Sequence, residues 1–503
     1  MRRILALVLV LPLACEDEPA STTDVGTDDT TGGGGETSEG SSEGSSEGES
    51  ESTDEGSGMP ELESSSDDDS GGGGLACGLP EGSPPTAIVE GYTLVPVDML
   101  ELAATLRFDA ATQAATGAAE LTFAVGPEGG FPIFDLRQEI TAIELDGVEM
   151  SPDLAPHFVG GEDFDDRMRA LGKELAPCTE HVLVLEYDIA LPDVFSASAP
   201  VYDAAGVLWT SDHSDLIAGH YAEQWLPMNL PHDELAMRIE IEVLGTDAPH
   251  VLGANAPVEA LGPAHWRVDF PPQFSAMSPL FVLMPEALVE RGSAPVRLPD
   301  GHVVTIDVIR WADYPIAMAD ILAATGEALI SANLELGEYI HGDRYFAFVS
   351  DSAGGMEYEG ATSAVYWALE HEVFHSWIAR GIRPLRHRDG WLDEAWTTYS
   401  VDDEFAAELL GPDDPLEVLA SDDPWTRITP VAAYSTGARV FATLAAEIGG
   451  PELRGLLREF YMAHAGELVT TEQLEAFLVA AIPSKTPAWL FERFVFGHSA
   501  PPD

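Results

Sequence analysis

His371 and His375 are four residues apart with Glu372 between them, and Glu394 follows after eighteen intervening residues. On a helix both imidazoles leave one face, one turn apart, where two nitrogens can reach a single ion. Glu372 can then address a water on that ion without ligating it. Glu394, on the next helix, adds an oxygen ligand. Two histidines and one glutamate leave the fourth position of a tetrahedral zinc open to water, which is the catalytic rather than the structural arrangement. The expectation is one Zn2+ per chain on His371, His375 and Glu394, with Glu372 as general base.

These residues need elements to hold them. From Val303 the chain reads as a strand (Val303–Ile309), a helical stretch (Pro315–Tyr339), a strand (Arg344–Ser350) and a loop (Asp351–Gly355). The metal helix is expected at roughly Ser363–Arg380, stopped by Gly381 with Pro384 beyond. Glu394 opens the following helix after Asp389-Gly390. Thr429-Pro430 reads as a cap with proline at the first helical position, and that helix should end at Gly449-Gly450-Pro451. Further helices fill 452–497.

Residues 85–297 read mainly as strands. Met237, Ile239, Ile241 and Val243 alternate with Arg238, Glu240 and Glu242, the period-two pattern of a half-buried strand. Leu121–Val125, Val182–Tyr187, Trp266–Phe270 and Phe281–Leu283 are similar short runs, and Asp146-Gly147 is a hairpin signal between Ile143–Leu145 and Val148–Met150. The fold class that follows is multidomain α+β. An antiparallel β-sandwich-like domain at 85–297, expected to flank the substrate, precedes a catalytic domain at 298–503 with mixed sheet and then mostly helix.

The chain has 503 residues, 45% of them hydrophobic, which is enough to fill two or three cores. Its net charge is −64, from 87 acids against 23 bases, which argues against nucleic acid and anionic lipid headgroups as partners. Residues 1–14 read as an export signal: Arg2 and Arg3, the apolar run Ile4–Leu13, then Ala14 before Cys15. The run is too short to span a bilayer. L-P-L-A-C resembles a bacterial lipoprotein signal, whose cysteine becomes the lipidated N-terminus; an ordinary secretory signal is the alternative. The implied location is a bacterial membrane, periplasmic or cell-surface. Residues 15–84 are then the lipidated cysteine and an acidic Ser/Gly/Glu-rich tether without the apolar content for a core. In an exported chain Cys77 and Cys178 can pair as a disulfide, and no CxxC pair supports a thiolate metal site.

With these pieces placed, residues 85–503 resemble the aminopeptidase-N-like gluzincin family, which includes leukotriene-hydrolase-type enzymes. Gly354-Gly355-Met356-Glu357-Tyr358 resembles the family's G-A-M-E-N loop. His371-Glu372-Val373-Phe374-His375 with Glu394 matches its zinc signature. Trp391-Leu392-Asp393-Glu394 is similar to its W-L-N-E, and Tyr434-Ser435-Thr436-Gly437-Ala438 to its Y-x-K-G-A. The resemblance implies a thermolysin-like catalytic domain and a zinc aminopeptidase acting on peptides. Tyr434 would stabilise the oxyanion, with Tyr399 and Tyr358 as other candidates. Gly354, Gly355 and Met356 would line the substrate, and Glu357 would bind its free α-ammonium.

The chain departs from the family in four places. Tyr358 stands where the family has Asn. No clear counterpart of the family's glutamine-bearing, amine-holding segment precedes Trp225-Leu226-Pro227. The interval from Glu394 to Tyr434 is short, and the chain ends soon after Phe496-Gly497, where many members continue into a large C-terminal helical domain. Two alternatives therefore stay open: a zinc endopeptidase or other zinc hydrolase with no free-amine requirement, and an inactive surface binding module. His213, His220 and His387 lack ligand spacing and read as structural or surface residues.

Overall fold

Alternating strands need a partner layer for their apolar face, and in the N-terminal half that layer is a second sheet. The computed structural model describes residues 77–160, 167–190, 199–229, 233–351, 354–401 and 409–499; the export signal, Cys15 and the tether up to residue 76 lie outside the described residues. An eight-stranded sheet runs, in spatial order, Val258–Gly262, His265–Phe270, Ala236–Leu244, Val97–Asp109, Ala114–Val125, Glu180–Ile189, Glu139–Leu145 and Val148–Met150. Met237, Ile239, Ile241 and Val243 are buried, as their alternation requires. The last two strands form the expected two-residue hairpin, with Asp146 at φ 53° and Gly147 at φ 75°. One pairing is not antiparallel: Ala236–Leu244 runs parallel to Val97–Asp109.

A four-stranded sheet of Val201–Asp203, Gly206–Thr210, Phe281–Pro285 and His250–Ala254 shares the same core. Phe108 of the larger sheet meets Trp209 of the smaller one at 5.0 Å between ring centroids. A third, five-stranded sheet includes Tyr92–Val95 and Phe131–Phe134.

The second half has its own core and a five-stranded sheet, ordered Val289–Arg297, Val303–Trp311, Arg344–Val349, Ala361–Ala364 and Gly355–Tyr358. The expected division at residue 297 falls inside its first hairpin. The three central strands are parallel, and α1 (Met318–Leu336) makes the crossover between the first two of them. Gly355–Tyr358, expected partly as loop, is the edge strand. Then come α2 (Leu369–Phe374), α3 (Trp391–Val401), α4 (Ala438–Ile448), α5 (Gly450–His464), α6 (Thr471–Ala481) and α7 (Thr486–Leu490). Among the described residues no helix is long and apolar enough to cross a membrane.

Two helices differ from expectation. The metal helix is much shorter than Ser363–Arg380: residues Ala361–Ala364 are strand, and α2 ends at Phe374. Beyond it the chain turns through Ala379, a non-glycine residue at φ 76°, and the Arg380 side chain reaches Glu357 of the edge strand. The helix expected from Thr429 begins later, as a π-turn over Ala433–Gly437 that leads into α4. Gly437 explains the placement: a Cβ there would lie 2.6 Å from Ala395 Cβ, so only glycine lets this turn pack against α3.

Cys77 and Cys178 form a disulfide with Cα atoms 5.0 Å apart, spanning 101 residues of sequence. Loop-closure entropy makes so long a crosslink stabilising, so Cys77→Ser should lower the unfolding free energy by about 2–4 kcal/mol. Urea denaturation of the two proteins tests this, and coincident midpoints would show that the bond contributes nothing.

Candidate active site

α2 is short, yet it delivers both histidines. Their ring centroids are 4.8 Å apart. α3 meets them with Glu394, whose Oε2 lies 3.2 Å from His371 Nε2 and 3.5 Å from His375 Nε2. Zinc bonds of about 2.0–2.1 Å in a tetrahedron require donor atoms roughly 3.3 Å apart, so the spacing fits that ion. The protonation pattern fits as well. His375 Nδ1 is in close contact with the Asp393 carboxylate and lies 3.1 Å from Thr397 Oγ1. An N–H on Nδ1 leaves the lone pair on Nε2, which is buried and has no hydrogen-bond partner. Burial raises the Glu394 carboxyl, but the His375 and His371 imidazoles outweigh it and hold that carboxyl well below the usual range.

The start of α3 is fixed from outside the site. Asp389 Oδ1 accepts from Thr471 N at 2.9 Å and Thr471 Oγ1 at 2.8 Å, and Trp391 Nε1 donates to the same hydroxyl at 3.0 Å. Asp393 and Glu394 follow within one turn.

Glu372 points from α2 toward the edge strand. A side chain at Gly355 would collide with its carboxylate, so the glycine allows this contact. Burial pushes the Glu372 carboxyl up to about 8, against the pull of the two imidazoles. The Tyr434 hydroxyl donates to Glu394 Oε1, and its ring stacks 6.3 Å from that of His371. Burial, then the Glu394 charge, keeps the phenol protonated well above its ordinary range.

A second charged group adjoins the first. Carboxylate oxygens of Asp215, Glu357 and Asp393 lie within 4.8 Å of one another, all three residues being buried. One guanidinium serves them. Arg380 Nη2 donates to Glu357 Oε1 at 2.9 Å but stays 3.8 Å from Asp215 Oδ1, which has no hydrogen-bond partner. Burial, then the neighbouring Glu357 charge, pushes the Asp215 carboxyl up to about 7. Burial also raises Glu357, but Arg380 and His375 outweigh it and hold that carboxyl below its ordinary value.

The structure thus brings together His371, Glu372, His375, Glu394, Tyr434, Gly355 and Glu357. Gly354 precedes the edge strand at φ 99°, and Met356 is buried in the N-terminal core with its carbonyl taken by Thr362 Oγ1. The other tyrosines are elsewhere. Tyr358 donates to Ser211 O at 3.3 Å inside the N-terminal core, and Tyr399 packs on Phe441 with Arg454 over its ring. His213, His220 and His387 are buried and belong to no donor set found among the described residues. Sequence reasoning missed Asp215 and Arg380. Asp215 reaches the site from the N-terminal half, and Arg380 was placed in a continuing helix. Asp393, beside a ligand glutamate, was the one missed partner that its position could have signalled.

No family model and no curated protein matches this chain. Solved structures do. The chain is similar to an M1 zinc metallopeptidase from Deinococcus radiodurans, at 17% identity over 84% of this chain and 98% of that one, with a TM-score of 0.58. It is similar to Legionella pneumophila aminopeptidase A in complex with aspartic acid, at 12% identity over 82% of this chain and 51% of that one, with a TM-score of 0.62. Yeast LTA4 hydrolase in complex with bestatin is 18% identical over 81% of this chain and 69% of that one, with a TM-score of 0.58. The likeness is one of fold.

The donor set makes its own prediction. Metal-stripped protein should bind one equivalent of zinc and unfold at a higher temperature with it, the gain being about 4 kcal/mol at a thousandfold excess over Kd. His375→Ala should abolish the shift, and Asp393→Asn should weaken binding roughly 10–100-fold. Calorimetric titration reads both, and wild-type protein that takes up no zinc would refute the assignment.

Proposed function

We propose that this chain is a zinc-dependent aminopeptidase that removes N-terminal residues from peptides. The observation that carries the reading is the junction of two sets: a three-donor metal site, and a buried acid pair, Asp215 and Glu357, that has one positive charge too few. An α-ammonium is a cation of the right size and charge to complete the pair. The fold likeness supports the reading, since a glutamate-to-alanine mutant of the Deinococcus peptidase has been solved bound to a Tyr-Ser-Ala substrate.

When bound by His371, His375 and Glu394, zinc supplies a Lewis acid that polarises a carbonyl and makes a water acidic near neutrality. Glu372 takes the proton of the attacking water on its carboxylate and delivers it to the departing amine. Tyr434, already protonated, moves its hydrogen bond from Glu394 to the developing oxyanion. Glu357 and Asp215 accept the α-ammonium, which places the first peptide bond at the metal. The edge strand meets the substrate backbone at its exposed start, Gly355.

One observation favours a second reading, a zinc endopeptidase or other zinc hydrolase with no need of a free amine: Arg380 already pairs with Glu357. We also propose that the protein is exported and held to a membrane by a lipid on Cys15. The disulfide accords with an oxidising compartment. Cys15→Ser should then shift the protein from the membrane to the soluble fraction, and an unchanged distribution would refute the anchor.

The activity test is release of a chromophore from aminoacyl substrates by zinc-loaded protein. Glu372→Gln should lower kcat by about 10²–10⁴-fold and Tyr434→Phe by about 10²–10³-fold, with chelator abolishing turnover. N-acetylated peptides should be cut far more slowly than free ones. Equal rates would establish the second reading, and an inert zinc-loaded wild type would leave only a binding module.

A further inference from the structure

Arg380 is fully buried and has no counterpart in the mechanism above. Its position follows from the short metal helix. Once α2 stops at Phe374, Arg380 N donates to His375 O at 3.1 Å, and the left-handed Ala379 turns the side chain toward the edge strand. There Nη2 donates to Glu357 Oε1 at 2.9 Å and to Glu357 O at 3.4 Å, while Nη1 lies 3.7 Å from Met277 Sδ of the N-terminal half. The guanidinium therefore grips the backbone and the carboxylate of one residue.

The charges nearest the metal donors can be paired one by one, with Glu359 a further buried acid in the field of Arg380. Asp393 takes His375 Nδ1–H, and Glu357 takes Arg380. Asp215 is left with an oxygen that has no hydrogen bond, at 6% exposure. Without Arg380, Glu357 and Asp215 would be two buried carboxylates side by side, which cannot both stay ionised and fixed in place. With it, Glu357 stays ionised and fixed, and Asp215, once it loses its proton, supplies the one net negative charge of the group.

We propose that Arg380 is the positioning residue of an amine anchor: it fixes the Glu357 carboxylate and cancels one of two buried charges, so that Glu357 and Asp215 present a single net charge to a monocationic peptide N-terminus. The inference rests on the aminopeptidase reading and names what makes its anchor selective. A blocked N-terminus has no charge to offer Asp215, so it gains nothing from the arrangement that Arg380 maintains.

The test compares a free tripeptide amide with its N-acetyl form on zinc-loaded, full-length protein. In Arg380→Met, KM for the free peptide should rise roughly ten- to hundredfold, the scale of a lost charge-assisted contact, with kcat changing much less. The slower cleavage of the acetylated peptide should stay within about twofold of wild type, a split that a merely structural role would not give. Arg380→Lys keeps the charge but loses the planar fork, so its KM for the free peptide should rise severalfold, again with the acetylated peptide unchanged. If the methionine variant does not fold, the lysine variant decides. Parallel losses for both peptides, or an unchanged KM for the free one, would overturn the proposal. A wild type that does not prefer the free peptide would instead sink the aminopeptidase reading, and the inference with it.

Discussion

The site depends on the requirement that every buried charge meets a counter-charge. His375, Glu394, Asp393, Glu357, Asp215 and Arg380 are all buried. An unpaired ion in such surroundings costs several kcal/mol even after relaxation. Two Nε2 atoms converge on Glu394 Oε2, that of His371 at 3.2 Å and that of His375 at 3.5 Å, and the second presents a lone pair once Nδ1 of His375 carries the proton. The donor atoms of His371, His375 and Glu394, all within 4.8 Å of one another, fit a divalent cation, and the chemistry of the proposed function starts from that fit.

The backbone meets the geometric side of the requirement with close approaches rather than long elements. α2 is a helix of 6 residues, too short to be stable by itself, and it is held by the core around Val373, Phe374 and Trp377. Gly355 lets Glu372 touch the edge strand, and Gly437 lets the π-turn carrying Tyr434 touch α3. In both places a missing side chain brings two catalytic candidates together. Ala379 accepts a positive φ that most side chains disfavour, which turns Arg380 inward.

What the sequence made legible follows from range. The four-residue spacing of the histidines, and the glutamate opening the next helix, depend on local geometry, and both hold. The alternation in Met237–Val243 and the Asp146-Gly147 turn are equally local, and both elements form. The end of α2 was not legible, because the apolar run through Ile378 reads as helix and only tertiary packing makes it turn. Arg380 and Glu357 are 23 residues apart, and no periodicity links a helix end to an edge strand. Asp215 was hidden for a similar reason: its segment, Ser211–Gln224, has little regular structure, and its partners come from the other half of the chain. Tyr358 shows the converse error, a residue inside a recognised motif whose side chain the strand's alternation sends to the opposite face.

The N-terminal half is therefore more than a flank for substrate. Besides Asp215, it holds the segment that leads to Tyr434. Arg427 Nη2 pairs with Asp135 at 2.9 Å and with Glu223 at 3.1 Å, and Arg137 joins the same Asp135 oxygen at 2.9 Å. Two residues on, Thr429 N donates to Asp215 O at 2.7 Å. One stretch of chain thus presents Asp215, the proposed amine acid, and anchors the approach to Tyr434, the proposed oxyanion donor. Separating the halves at this point would leave Arg427 and Glu223 buried or half-buried without partners, at a cost of about 3–5 kcal/mol for a broken buried pair. A hinge placed here would have to overcome that cost in every turnover. A site held together by such pairs is assembled before any ligand arrives, so in the proposed peptidase the binding energy of the peptide goes to aligning the bond to be cut rather than to building the groups that cut it.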